Sequence, residues 1–221
     1  AWMKAEDNGR IYGRVNPCGA VTTRCTHSNP NMAQVPGVHA PWGKECRSLF
    51  TVPEGYVLLG VDASGLELRC LAHYTHKLDG GRYTNEILEG DIHTANQKAA
   101  GLKDRNDAKT FIYALLYGAG DLRIGSIVGG GQREGKALKN TFFSRMSALK
   151  KVQEGVKHRV KTQGHLISID GRKLKIRSEH SALNTLLQSA GAIAVKQATC
   201  NLHRSLWSHG WDTEDVMQVA H

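Results

Sequence analysis

At 221 residues the chain can hold one large domain or two small ones with a real core. It carries 29 basic and 20 acidic residues, a net charge of +9, which suits a polyanionic partner, because phosphate contacts release counterions. Cys18, Cys25, Cys46, Cys70 and Cys200 are scattered, odd in number and without a C-x-x-C pair, so they argue against a disulfide or zinc framework. With reduced thiols, no signal peptide and no apolar run long enough to cross a membrane, the expected setting is the cytoplasm, that of the host cell for a viral protein.

All five prolines fall between Pro17 and Pro53, so the first quarter reads as irregular and rich in turns. Residues 9–24 alternate apolar and polar side chains around Gly13 and Asn16-Pro17, the pattern of a β-hairpin or two short strands. Residues 56–62 read as a buried strand and 65–76 as a helix. Helical patterns follow at 93–101, at 104–118 and, with breaks, at 133–163. Two alternating runs flank Asp170-Gly171, a strong hairpin signal. A long helical pattern covers 181–208, Gly210 stops it, and 215–220 would begin a strand.

Two stretches carry chemistry. In the first, Arg105, Lys109, Tyr113 and Tyr117 are spaced by four, so on a helix they stack along one face. Two cations followed by two aromatic rings suit a nucleoside triphosphate: charge for the phosphates, a flat surface for sugar and base. The same spacing also fits a core helix with solvated Arg and Lys. In the second, the apolar run Tyr56-Val-Leu-Leu-Gly-Val ends in Asp62, which delivers a carboxylate at a strand tip, where Mg²⁺ finds the oxygen ligands it prefers. Ser64-Gly-Leu-Glu67 fits a capping box that starts the next helix.

Together these stretches resemble the family-A (pol I type) DNA polymerases. Asp62-Ala-Ser-Gly-Leu-Glu67-Leu-Arg looks like motif A, and Arg105-x3-Lys109-x3-Tyr113-x3-Tyr117-Gly118 looks like motif B. Residues 22–37 resemble the family's segment that touches primer and template, and Gly90-Asp-Ile-His93-Thr94 resembles the start of its fingers. Leu183-Asn184-Thr-Leu-Leu-Gln188 resembles its palm helix beside the duplex. The five segments occur in the family's order, and the wording is nearest to the replicative branch of the short-tailed phages.

The resemblance implies an α+β right-hand fold. Residues 1–84 and 164–221 would be palm, an antiparallel sheet with helices, and 85–163 an inserted helical fingers subdomain. It implies template-directed transfer of deoxynucleotides to a primer 3′-hydroxyl, with two Mg²⁺ ions in the complete enzyme. Asp62 and the backbone carbonyl of Ala63 would bind metal. Arg105, Lys109 and His93 would hold the triphosphate, with Lys109 also the general acid for the leaving pyrophosphate. Tyr113 would lie under the sugar, where a tyrosine implies acceptance of dideoxynucleotides, and Tyr117 would stack at the templating position. Glu67 would block a ribose 2′-hydroxyl. Arg24, Asn31, Gln34, Asn184 and Gln188 would touch the primer–template duplex, where amides can read minor-groove acceptors common to all correct pairs. His180 and Arg47 are weaker candidates for phosphate contacts.

One departure is large. The family has a second aspartate in a Val-His-Asp-Glu motif C, and this sequence ends at Val216-Met-Gln-Val-Ala-His221, which resembles the approach to that motif. The chain then holds one of two expected metal carboxylates. It also has no segment resembling the thumb, through which the phage branch recruits a processivity factor, or an exonuclease domain. An alternative is therefore a nucleotide- or DNA-binding segment that catalyses nothing. A third is a P-loop hydrolase, since Gly130-Gly-Gln-Arg-Glu-Gly135-Lys136-Ala137 nearly matches the phosphate loop; Ala137 replaces the hydroxyl that would hold Mg²⁺. On the polymerase reading that segment is a flexible turn between finger helices.

Overall fold

The computed structural model describes residues 2–211. They fall into two compact units, one formed by the chain up to Ser64 and from Leu202 on, the other by Gly65–Asn201. The strand expected at 215–220 and the segment Val216–His221 lie outside the described residues.

The first unit is short on regular structure, as its prolines predict. Strands β1 (Glu6–Asp7) and β2 (Arg10–Ile11) pair antiparallel. Between them Asn8 and Gly9 have φ of 51° and 76°, the left-handed pair that a two-residue hairpin turn requires. Strand β3 (Arg14–Asn16) pairs antiparallel with β4 (Thr26–Ser28), placing Val15 opposite His27. The expected hairpin over 9–24 is thus divided: its two runs pair outward, β2 with residues before it and β3 with residues after it. A single helical turn and a half, α1 (Gly43–Ser48), follows.

Residues 56–62 do not form the expected strand. Val57, Leu59 and Val61 stand 88, 84 and 89 % exposed. An apolar run becomes a central strand only if ladder partners and covering layers reach it, and among the described residues none pairs with it. The second correction adjoins the first. Helix α2 (Leu66–Asp79) takes Gly65 as its N-cap, at φ 60° and with no side-chain cap hydrogen bond. A capping box needs an extended Ser or Thr at that position. The box predicted from Ser64 and Glu67 is not built.

The second unit is helical: α3 (Arg82–Leu88), α4 (Ile92–Ala100), α5 (Arg105–Leu116), α6 (Asp121–Ser126), α7 (Gln132–Arg145), α8 (Ser147–Gln163) and α9 (Ala182–Ser208), the last running on past the unit. The pattern over 133–163 is two helices, broken at Met146. Helices α3 and α6, of seven and six residues, are too short for periodicity to reveal. Aspartates start several helices. Asp79 accepts from the amides of Gly81 (2.9 Å) and Tyr83 (3.1 Å), and Asp104 accepts from the amides of Asn106 and Asp107.

The core is centred on α5. Phe111 and Ile112 are fully buried, and Phe111 meets Phe142 of α7 edge-to-face at 5.1 Å. Leu68 and Leu71 of α2 and Leu187 of α9 join the same cluster. Strands β5 (His165–Ile167) and β6 (Lys173–Lys175) form the hairpin that Asp170-Gly171 announces, with buried Leu166 opposite buried Leu174. A buried bond of 2.9 Å between the Ser168 and Ser189 hydroxyls ties that hairpin to α9.

The P-loop look-alike is a helix junction. No strand precedes it; α6 and a turn do. A Cβ on Gly125 would lie 1.8 Å from the Gly131 carbonyl oxygen, and one on Gly135 would lie 1.8 Å from that of Asp121. Gly125 and Gly135 serve backbone contact between α6 and α7. The N-cap amide of α7, Gly131 N–H, donates to the Glu134 carboxylate at 2.8 Å. Among the described residues no helix is long and apolar enough to cross a membrane.

Candidate functional site

The site begins with the loops that enter α4 and α5. Asp91 is the N-cap of α4, in extended backbone, and its Oδ1 accepts from the His93 amide at 3.0 Å. Its Oδ2 accepts from the Thr94 hydroxyl at 2.8 Å. Arg105, the first residue of α5, then donates to the same carboxylate through two atoms, Nε to Oδ2 at 2.7 Å and Nη2 to Oδ1 at 3.0 Å. This planar fork is the strong form of the Arg–carboxylate pair. The guanidinium, with Thr94 and the helix amides behind it, holds the Asp91 carboxyl far below the usual carboxylate range. Asp91 reciprocally raises the Arg105 pKa.

Lys109 follows one turn along α5 and is exposed. Its charge reaches His93, whose pKa is lowered first by burial, then by Arg105 and Lys109, with Asp91 opposing. His93 therefore binds its proton less readily than an ordinary imidazole. Its Nδ1 is buried and has no hydrogen-bond partner among the described residues.

The rings continue the same face. His93 and Tyr113 have centroids 6.4 Å apart, and Tyr113 and Tyr117 are again 6.4 Å apart with planes at 31°. The Tyr113 phenol is pushed up by burial, then by the charge of Glu67, then by Tyr117. That effect couples Glu67, at the start of α2, electrostatically to the tyrosine halfway along α5. Glu67 also raises the Cys70 thiol to about 11, after burial, which is the larger cause. Tyr117 caps the C-terminus of α5 and is half exposed. After it the chain turns at Gly118, φ 76°, where a Cβ would lie 2.2 Å from the His180 carbonyl oxygen, so only glycine fits the corner behind Tyr117.

Glu67, His93, Arg105, Lys109, Tyr113 and Tyr117 are thus one constellation in the second unit. Asn184 and Gln188 lie in that unit too, half-buried and one turn apart on α9. Of the other candidates, all but His180 belong to the first unit. Asp62 and Ala63 are exposed on the unpaired stretch. Asn31 closes its own turn, its Oδ1 accepting from the Ala33 amide at 3.0 Å, while Arg24 is half-buried and Gln34 exposed. Arg47 spends its Nε on the Pro36 carbonyl at 2.9 Å. His180 is exposed. The sequence reading gave Asp91 no role. The signal was present, since an Asp directly before the apolar Ile92 that opens a helical run is an N-cap pattern.

Comparisons with known proteins give the family. The model of DNA polymerase family A matches residues 1–221. The chain belongs to DNA polymerase family A. Over its whole length it is 46 % identical to the DNA-directed DNA polymerase of Enterobacteria phage T3, and over 96 % of its length 46 % identical to that of Escherichia phage T7. DNA polymerase I of Pseudomonas aeruginosa is 27 % identical over 96 % of the chain. The chain spans 36, 34 and 25 % of these three relatives. Among solved structures, the POL domain of Pol1 from M. smegmatis, in complex with DNA primer-template and dNTP, matches 93 % of this chain and 40 % of its own, with TM-score 0.80 at 23 % identity. The α+β polymerase fold expected from sequence is thereby borne out, and so is the family.

Proposed function

We propose that this chain is the palm and fingers part of a DNA-directed DNA polymerase that adds deoxynucleotides to a primer 3′ end. Residues 1–84 and 164–221 would be palm and 85–163 fingers. The observation that carries the reading is the α4–α5 face: two cations, an imidazole that binds its proton less readily than usual and two mutually tilted phenols in one row, with Glu67 acting on the first phenol.

On this reading Arg105 and Lys109 bind the triphosphate, and Lys109 gives a proton to the departing pyrophosphate. His93 donates a hydrogen bond to a phosphate oxygen. Tyr113 supports the sugar, Glu67 fills the space a 2′-hydroxyl would need, and Tyr117 meets the templating base. Arg24, Asn31, Gln34, Asn184 and Gln188 face the primer–template duplex. Asp62 and the Ala63 carbonyl, exposed on adjacent residues, are hard oxygen donors of the kind Mg²⁺ takes alongside several waters. When bound, such ions lower the pKa of the primer hydroxyl and neutralise the triphosphate. A processivity factor would act through a thumb.

The test is primer extension with Mg²⁺, using this chain and a polypeptide extended through motif C and carrying the thumb. Template-dependent extension by the longer form, abolished by Asp62→Ala, is expected. Extension untouched by Asp62→Ala, or absent from a folded longer form, would overturn the reading in favour of a segment that binds without catalysis.

A further inference from the structure

The constellation contains a residue that the nucleotide-binding reading does not use. Asp91 is an acid in the middle of a site proposed for a polyanion. Its carboxylate is nevertheless the hub of that site: it caps α4 through the His93 amide, holds the Thr94 hydroxyl and grips Arg105 with two bonds. A bare acid there would repel phosphate. The geometry supplies a reason for it to be present.

A guanidinium has five N–H groups in a fixed fork. Asp91 engages Nε–H and one N–H of Nη2, which is one edge of the plane. The opposite edge, both hydrogens of Nη1 and the second of Nη2, is left to face another partner. An exposed arginine unrestrained by such a fork samples many rotamers, and ordering it on binding costs affinity. Asp91 fixes the rotamer in advance, and because it also caps the helix that carries His93, it sets Arg105 and His93 relative to each other. The cap has a second effect. The His93 amide in the first turn of α4, part of an anion-binding terminus, is already engaged by Asp91, so an incoming phosphate is directed to the side chains.

We propose that Asp91 is a positioning residue for the triphosphate: by holding one edge of Arg105 it presents the other edge, together with His93, in a fixed arrangement. This rests on the nucleotide-site reading above. Repulsion by the Asp91 charge is small, because the guanidinium it pairs with neutralises it locally.

The test is the affinity of the 221-residue chain for dATP with Mg²⁺, measured by titration calorimetry for the unaltered protein, Asp91→Asn, Arg105→Ala and the double variant, with thermal unfolding of each. Asn keeps N-cap competence, so the substitution removes the charge-assisted fork and leaves the helix start. The expected result is about fivefold weaker binding for Asp91→Asn and no further loss when it is added to Arg105→Ala, the mark of two residues acting through one contact. The same loss in both backgrounds would make Asp91 a structural cap and overturn the proposal. Tighter binding by Asp91→Asn would make it a competitor for Arg105 and overturn it as well. Arg105→Ala binding as well as the unaltered protein, or no binding by the unaltered protein, would instead refute the nucleotide-site reading, and the proposal with it.

Discussion

The α4–α5 pair and the stretch 56–64 lie close in sequence and behave as opposites. Both carry motifs that sequence analysis singles out. The first is built as expected, with its apolar residues buried beneath a charged and aromatic face. The second has the apolar run of a central strand, yet Val57, Leu59 and Val61 stand in the open. A helix closes its hydrogen bonds within a few residues, and its core here comes from neighbours in the same unit. A strand depends on segments elsewhere in the chain. The difference teaches that a local motif can be read without its surroundings only where its backbone needs no distant partner.

Phe111→Ala removes a fully buried ring from the centre of the helical unit and should cost about 3–5 kcal/mol. Leu59→Ala, at a position 84 % exposed, should change stability by no more than about 0.5 kcal/mol. Chemical denaturation of the two variants checks this; comparable losses would mean that the 56–62 run is packed in solution. A smaller effect sharpens the functional side. If Glu67 is a gate over the sugar and not a helix cap, Glu67→Ala should raise the ratio of ribo- to deoxynucleotide incorporation about tenfold or more in the complete polymerase, with little change in melting temperature. A capping residue would give the reverse.

The smallest expected effect is a titration. His93 binds its proton less readily in the folded chain than an ordinary imidazole, with a pKa near 6.5. Whatever stability this brings is fully present above about pH 6.5 and is lost as the pH falls through the lower, folded value. NMR of the His93 ring should show titration below 6.5, and Arg105→Ala should move it upward by removing a nearby positive charge. An unchanged midpoint would separate the two residues.

Much of this site was legible in the sequence because it is written at helical spacing. Arg105, Lys109, Tyr113 and Tyr117 follow one another by four, and His93 sits at the start of a short helix next to them. What the sequence did not disclose is what lies across space. Glu67 acts electrostatically on Tyr113 from another helix, and Asp91 holds Arg105 across fourteen positions. The capping box failed for a local reason, since Gly65 in a left-handed conformation displaced Ser64 from the cap. The phosphate-loop pattern failed because its glycines answer to packing: close approach between α6 and α7 demands the same residue that a phosphate cradle would.

The measurement that bears most directly on the account is single-nucleotide incorporation opposite each template base by the complete polymerase, comparing Lys109→Ala with Lys136→Ala. The account predicts that only the complementary nucleotide is added. It also predicts that Lys109→Ala lowers the rate by about a hundredfold or more, as loss of a general acid and phosphate ligand would, while Lys136→Ala leaves it nearly unchanged. Equal losses from the two substitutions would contradict it.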